Sequence, residues 1–356
     1  MNRADVIVSG GDMYAAIFLL MTAILPVDFI FSVDRKRTFV SSPSILRARA
    51  FETGQLVFVI QVVGLYFFAG FLKYGELWKN GEALSTIYRL NITAEQWSRW
   101  ILDFPTCLKF ISLAIPYFEM FALVALLPLT RLSKLKDTWL ILILLMHLGI
   151  LATMNVFYLP YFCIVILTAL IPASWWRLLK NFKYEEKLNL SISKTSILIA
   201  SAYALFMISI NIHTIWKPFI PERLYALVEK IRLEQKWDFY GPSPAQENEW
   251  WVISGMTEFG SVWKWNKVVS FSPSTIPENP RSHYENLHWV VYLLSLSHPD
   301  YREKLMPSFA RYLCRQNQNL EPAAATLSVE LYSSSILSKS VGPVQKVFEY
   351  SYRCSK

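Results

Sequence analysis

The sequence predicts an all-α polytopic membrane bundle of about six transmembrane helices, followed by a small extracytoplasmic α+β domain. Three observations predict it. Of 356 residues, 53% are hydrophobic and only 17% are charged, where a soluble domain carries about 25%. The deficit is confined to long blocks between residues 13 and 213, and charge is ordinary after residue 217, so the chain is written for lipid first and for water second. The basic residues between those blocks fall in alternate gaps, the pattern of the positive-inside rule. This divides the chain into a transmembrane domain at 1–215 and a soluble domain at 216–356.

The N-terminal stretch MNRADVIVSGGD is polar, and the block behind it has no small-residue cleavage site, so the first helix is expected to stay in place. That block, about 13–31, is interrupted by Pro26 and Asp28 and is short against the roughly 20 residues a span needs. The second, about 54–73, reads GQLVFVIQVVGLYFFAGFLK without interruption. The third is about 106–129. The stretch 139–171 would reach about 50 Å as one helix against a hydrocarbon core of about 30 Å. Asn155 and Pro160 sit at its middle, and proline disfavours helix interiors. Two helices at about 138–154 and 158–174 are therefore expected. The last block is about 195–212.

Loop charge sets the count. Residues 34–50 hold Arg35, Lys36, Arg37, Arg47 and Arg49; residues 130–137 hold Arg131, Lys134 and Lys136; residues 174–194 hold Arg177, Lys180, Lys183, Lys187 and Lys194. Six spans put all three loops on the cytoplasmic side and the C-terminal domain outside; five would carry the last loop across. In the opposite loop, 74–105, Lys79, Arg89 and Arg99 are offset by Glu76, Glu82, Glu95 and Asp103. The net charge of +8 thus belongs to topology, and with no basic stripe on a soluble surface, nucleic acid is excluded as a partner.

Trp97, Trp100, Trp139, Trp175, Trp176 and Trp216 lie at or near block ends, where aromatic side chains mark the interface. Within 94–104, Trp97, Trp100 and Ile101 recur at helical spacing, which suits either a helix along the outer interface or one packed on the bundle. After Pro221 the texture changes. EWWVISGMTEFGSVWKW (249–265) alternates around Glu258-Phe259-Gly260 and reads as a β-hairpin. Helices at about 283–297 and 300–317 follow, and TLSVELYSS and QKVFEYSY read as strands. Cys107 and Cys163 fall in apolar blocks as small core residues. Cys314 and Cys354 fall in the soluble part and can pair there if it lies outside the cytoplasm.

Three ionisable side chains sit where lipid makes them expensive. Lys73 ends the second block, as a snorkelling anchor or as a partly desolvated amine usable as a general base. Glu119 and His147 lie mid-span, in IPYFEMFAL and LLMHLGI, as polar partners or as neutral, hydrogen-bonded structural groups. A base role for Lys73 requires Glu119 to be distant or neutral, because a carboxylate within about 4–6 Å favours the charged lysine. No GxSxG, P-loop, HExxH, CxxC or Rossmann pattern is present, so acyl transfer, nucleotide hydrolysis and a metal centre are not expected.

At YFFAGFLKYGELWKNGEAL (66–84) the chain resembles the HTTM family, the vitamin-K-dependent γ-carboxylase-like membrane proteins. NRADVIVSGGDMY (2–14), FSVDRKR (31–37), Glu119, HLGILATM (147–154) and IRLEQKWDFYGPSPAQENEWWVISGMTEFG (231–260) follow in the family's order. The resemblance implies a C-terminal domain outside the cytoplasm. It makes Lys73 the match of the lysine that deprotonates vitamin K hydroquinone in the animal carboxylase. Two departures count against carboxylation. The carbanion-stabilising histidine has no counterpart at Gly10, Gly11 or Asp12, and family members carry further helices upstream of the stretch matched by Asn2, which implies either an N-terminally shortened bacterial-type member or an incomplete sequence. Two functions remain. One is a membrane-anchored module that binds a lipid, a quinone or an extracytoplasmic protein. The other is a carboxylase-like enzyme with Lys73 as base on a vitamin K-type quinol, with Glu119 and His147 as partners.

Overall fold

The block expected at 54–73 folds as helix α1, Ile45–Phe71, whose 27 residues span about 40 Å. The chain is described by a computed structural model at residues 14–19, 21, 45–126, 133–171, 175, 193–216, 219–230, 233–235, 237–260, 262–264, 276–280, 287–317, 324–336 and 341–354. Helix α2 is Pro105–Met120, opened by Pro105 in its first turn, and runs on as a 3-10 segment, Phe121–Leu126. Helix α3 is Ser133–Thr153 and α4 is Leu159–Thr168, with Pro160 in the first turn, where its missing N–H costs nothing. Helix α5, Lys194–Ile215, is capped by Ser193, whose hydroxyl accepts from the Ser196 N–H at 3.0 Å.

Four of these helices are long and apolar enough to cross a membrane: Glu52–Phe71, Pro105–Val124, Lys134–Thr153 and Lys194–His213. Four of the six expected spans are therefore present among the described residues. Of the first expected block, only residues 14–19 and 21 lie among those described, and they are helical. The fifth expected helix, 158–174, ends as a helix at Thr168. A reason lies in Pro172, which restricts Ile171 and cannot donate into a helical turn.

Helices α1 and α5 lie side by side and parallel. Thr53 Oγ1 donates to Ser196 Oγ at 2.8 Å, the Ser193 N–H donates to Glu52 Oε1 at 2.9 Å, and the Tyr203 hydroxyl donates to Gln61 Oε1. Further along, Gly64 leaves room for Met207, whose Cε would lie 2.2 Å from a Cβ built there. At the far end of the bundle, the segment after α1 closes on the end of α3. The Glu95 N–H donates to the Thr153 carbonyl at 3.0 Å, and the Asn155 N–H to the Thr93 carbonyl at 2.7 Å. Within it, Gln96–Asp103 is a 3-10 helix that buries Ser98 and leaves Trp97 and Trp100 exposed, with Phe104 exposed behind them.

Helix α6, Glu222–Lys230, packs on the bundle through Tyr225 and Val228, and Leu233, Trp237 and Phe239 pack on it further along. The sheet domain follows, with β1 (Glu247–Thr257), β2 (Val262–Lys264), α7 (Leu287–Ser297), α8 (Pro299–Asn317), β3 (Ala324–Ile336) and β4 (Val341–Arg353). The sheet order is β2-β1-β3-β4, every neighbour antiparallel. The β1–β2 hairpin turns through Gly260 at φ +79°, a conformation glycine adopts without strain. Strand alternation turns Trp251, Ile253, Leu327, Val329 and Leu331 onto Leu293, Leu296, Met306, Phe309 and Leu313 of the two helices. A Cys314–Cys354 disulfide, Cα separation 5.6 Å, ties α8 to the end of β4 across 40 residues of chain. A loop of that length is worth about 4 kcal/mol in unfolded-chain entropy. The domain is set on the bundle through Asn91 and Asn248. The Asn91 N–H donates to Asn248 Oδ1 at 2.7 Å, and Asn248 Nδ2 donates to the Arg89 carbonyl at 3.1 Å.

One acid is out of place in this domain. Glu249 shares the helix-covered side of β1 with Trp251, and burial pushes its carboxyl above the usual glutamate range, with the Ser297 side chain drawing it partly back. A raised folded-state pKa favours the native state below the unfolded value of about 4.3, and that contribution is lost as pH rises through the folded value. Glu249→Gln should therefore raise the melting temperature of the sheet domain by a few degrees at pH 7.5. At pH 3.5 it should leave it unchanged, as read by thermal unfolding of the detergent-solubilised chain.

Candidate functional site

The approach of two helices creates the site. Gly70, one turn before Lys73, has no side chain to hold α2 away; a Cβ built on it would lie 2.4 Å from the Pro116 carbonyl oxygen and 2.9 Å from the Met120 nitrogen. Pro116 lies within α2, where it interrupts the ladder of backbone hydrogen bonds. The close crossing brings Glu119, one turn beyond Pro116, opposite Lys73. Lys73 Nζ donates to Glu119 Oε2 at 2.6 Å and to the Ala69 carbonyl at 2.8 Å. Both side chains are withdrawn from solvent, 3% and 10% exposed. The ammonium also stands 5.5 Å from the centre of the Trp78 ring. Trp78 is fixed by its indole N–H, which donates to the Tyr240 carbonyl at 2.9 Å.

Two turns earlier on α1, on the same face as Lys73, Tyr66 meets His147 of α3, with 2.7 Å between the tyrosine oxygen and Nε2. Trp139 packs edge-on against Tyr66 at 5.8 Å. Cys163 of α4 lies in the same buried cluster as Tyr66 and Tyr14. All these side chains are buried. A second network lies deeper. Gln61 Nε2 approaches Gln235 Oε1 at 3.4 Å, Tyr203 donates to Gln61 Oε1, and the Trp237 indole donates to Gln235 Oε1 at 3.1 Å.

Of the three candidates named from sequence, the structure brings Lys73 and Glu119 into direct contact and gives His147 a different partner, Tyr66. Of the condition stated for a Lys73 base, that Glu119 be distant or neutral, the 2.6 Å contact excludes the first arm and leaves the second. Sequence reasoning missed Tyr66, Cys163 and the glutamine network. Tyr66 could have been found from its seven-residue spacing to Lys73, which puts both on one helix face. Gln61 could have been found as the polar residue inside the cleanest span. Cys163 and Gln235 carry no comparable signal. Among the described residues, no three His, Cys, Asp or Glu side chains are grouped to hold a metal. In a low-dielectric interior this arrangement can do two things: lock helices through charge and hydrogen bonds, or hold protons on Lys73, Glu119, His147 and Tyr66 within a short distance of one another.

Comparison of the chain with protein-family models, curated proteins and solved structures finds no match. The likeness to the HTTM family rests on the motifs quoted above.

Proposed function

We propose that this chain is an HTTM-like, multi-pass membrane protein whose bundle anchors the C-terminal α+β domain outside the cytoplasm, as a module that binds a lipid, a quinone or an extracytoplasmic protein. The observation that carries the reading is the Lys73–Glu119 contact at 2.6 Å. Lys73 is engaged by a carboxylate, a carbonyl and an indole ring, so it is built as a pin between α1 and α2 and not as an unengaged amine facing a substrate.

Six crossings complete the reading. Parallel helices α1 and α5 require an odd number of crossings between them. α2 and α3 supply two, and the reading assigns the third to the stretch between Thr153, at the sheet-domain end, and Ser193, beside Glu52. The block at 13–31 makes the sixth, and its described part supports that direction. Phe18 packs on Phe58 at 5.2 Å while Tyr14 lies by Cys163 and Tyr66, antiparallel to α1. The basic loops then face the cytoplasm. Reporter fusions at Ser191 and Lys356 should give opposite sides, and a cytoplasmic report from both would refute the placement.

A second reading is a carboxylase-like enzyme with Lys73 as base on a vitamin K-type quinol. The buried Tyr66–His147 pair and Cys163, about two turns of α1 from the Lys73–Glu119 contact, favour it. Substitution separates the two. The pin predicts that Lys73→Ala lowers stability by about 3–5 kcal/mol, because it strands a buried carboxylate. Loss of quinol turnover at unchanged melting temperature would instead assign Lys73 to catalysis.

A further inference from the structure

Helix α6 begins at the outer end of α5 and runs back down its side. The Ile220 N–H donates to His213 Nδ1 at 3.0 Å, and the Tyr225 ring lies 4.2 Å from the His213 ring. Val228 then joins Ile210, with Leu233 and Phe206 on the same cluster. Gln235 arrives at Gln61, which the Tyr203 hydroxyl also reaches. From His213 to Tyr203 is ten residues of helix, about 15 Å, half the thickness of a hydrocarbon core of about 30 Å. The chain then climbs again in non-helical form beside α1. The Tyr240 carbonyl accepts from Trp78 Nε1 at 2.9 Å and the Pro242 carbonyl from the Gly75 N–H at 2.8 Å. Gly241 passes so close that a Cβ there would lie 2.8 Å from the Leu72 carbonyl oxygen.

The described residues between 220 and 242 thus dip to mid-span level and return. Such a segment is stable in a membrane only where protein buries it or water reaches it. In the climbing half Gln235 and Trp237 are enclosed, with the Trp237 indole donating to Gln235 Oε1, while Asp238 and Pro242 are exposed. The descending half is exposed along most of its length. Tyr225 and Val228 face the bundle, while Glu222, Arg223, Glu229 and Lys230 are exposed. Glu229 and Lys230, next to Val228 and below the outer end of α5, do not suit acyl chains as their surroundings, and their exposure rules out a protein interior, which leaves water.

We propose that α6 lines a water-filled inlet, re-entrant beside α5, that admits water and small polar solutes from the sheet-domain side into the outer half of the membrane. The inference rests on the membrane reading but not on which side the domain occupies. The probe is a membrane-impermeant, positively charged thiosulfonate applied to intact membranes. The background chain carries Cys107→Ser and Cys163→Ser, with the disulfide kept. Phe259→Cys, on the sheet-domain hairpin, marks the side of the domain, and Leu205→Cys, exposed on α5, marks a lipid-facing position. Glu229→Cys and Lys230→Cys should react from whichever side labels Phe259→Cys, within about tenfold of its rate, while Leu205→Cys stays unreactive until detergent is added. If both α6 positions also stay silent until detergent is added, there is no inlet. Labelling from the opposite side to Phe259→Cys would equally overturn it. A cytoplasmic Phe259→Cys with α6 labelled from that same side would refute the extracytoplasmic placement and leave the inlet standing.

Discussion

A charge placed within a membrane-spanning bundle must be paired, and the Lys73–Glu119 contact is where this fold meets that requirement. Burying either ion alone costs several kcal/mol, so neither side chain is stable in this position without the other. The pair is made possible by backbone. The crossing of α1 and α2 at Gly70 brings the two side chains within 2.6 Å, and Trp78 and the Ala69 carbonyl occupy the remaining directions around the ammonium. Because Trp78 is held by the Tyr240 carbonyl, the same contact reaches the segment that leads into the sheet domain.

The bundle repeats the principle at two other levels. Tyr66 and His147 join α1 to α3, and Gln61, Tyr203 and Gln235 join α1, α5 and the segment after α6. In lipid, packing of apolar surface does little to hold helices together, since lipid tails are as apolar as leucine, and polar contacts and close backbone approaches set the register instead. The paired positions advance together, Thr53 with Ser196, Gln61 with Tyr203 and Gly64 with Met207. The sheet domain follows the rules of water. Alternating side chains bury one face of the sheet under α7 and α8, and a disulfide replaces part of the core a domain of this size lacks.

The apolar blocks, the hairpin at Gly260, the two late strands and their helices were legible in the sequence, because each depends on local periodicity and turn chemistry. The importance of Lys73 and Glu119 was legible from cost alone, since few residues of that kind occur inside spans. Their contact was not, because it depends on a backbone crossing at Gly70 and Pro116 that no spacing encodes. The segment after α6 was not legible either. LEQKWDF has the composition of an ordinary surface loop, and its place beside α1 rests on the tertiary fit of Gln235 to Gln61. The fifth block read as a full span from its hydropathy, where the described helix is ten residues long.

The central claim is that Lys73 and Glu119 act as one unit in holding α1 to α2. A double-mutant cycle with neutral, similarly sized replacements tests it most directly: Lys73→Met, Glu119→Leu and the two together, each read by equilibrium unfolding in the same detergent. The account predicts that each single substitution costs about 3–5 kcal/mol and that the double variant recovers most of that loss, since no uncompensated charge is left. Additive losses in the double variant, or single variants as stable as the native chain, would contradict it.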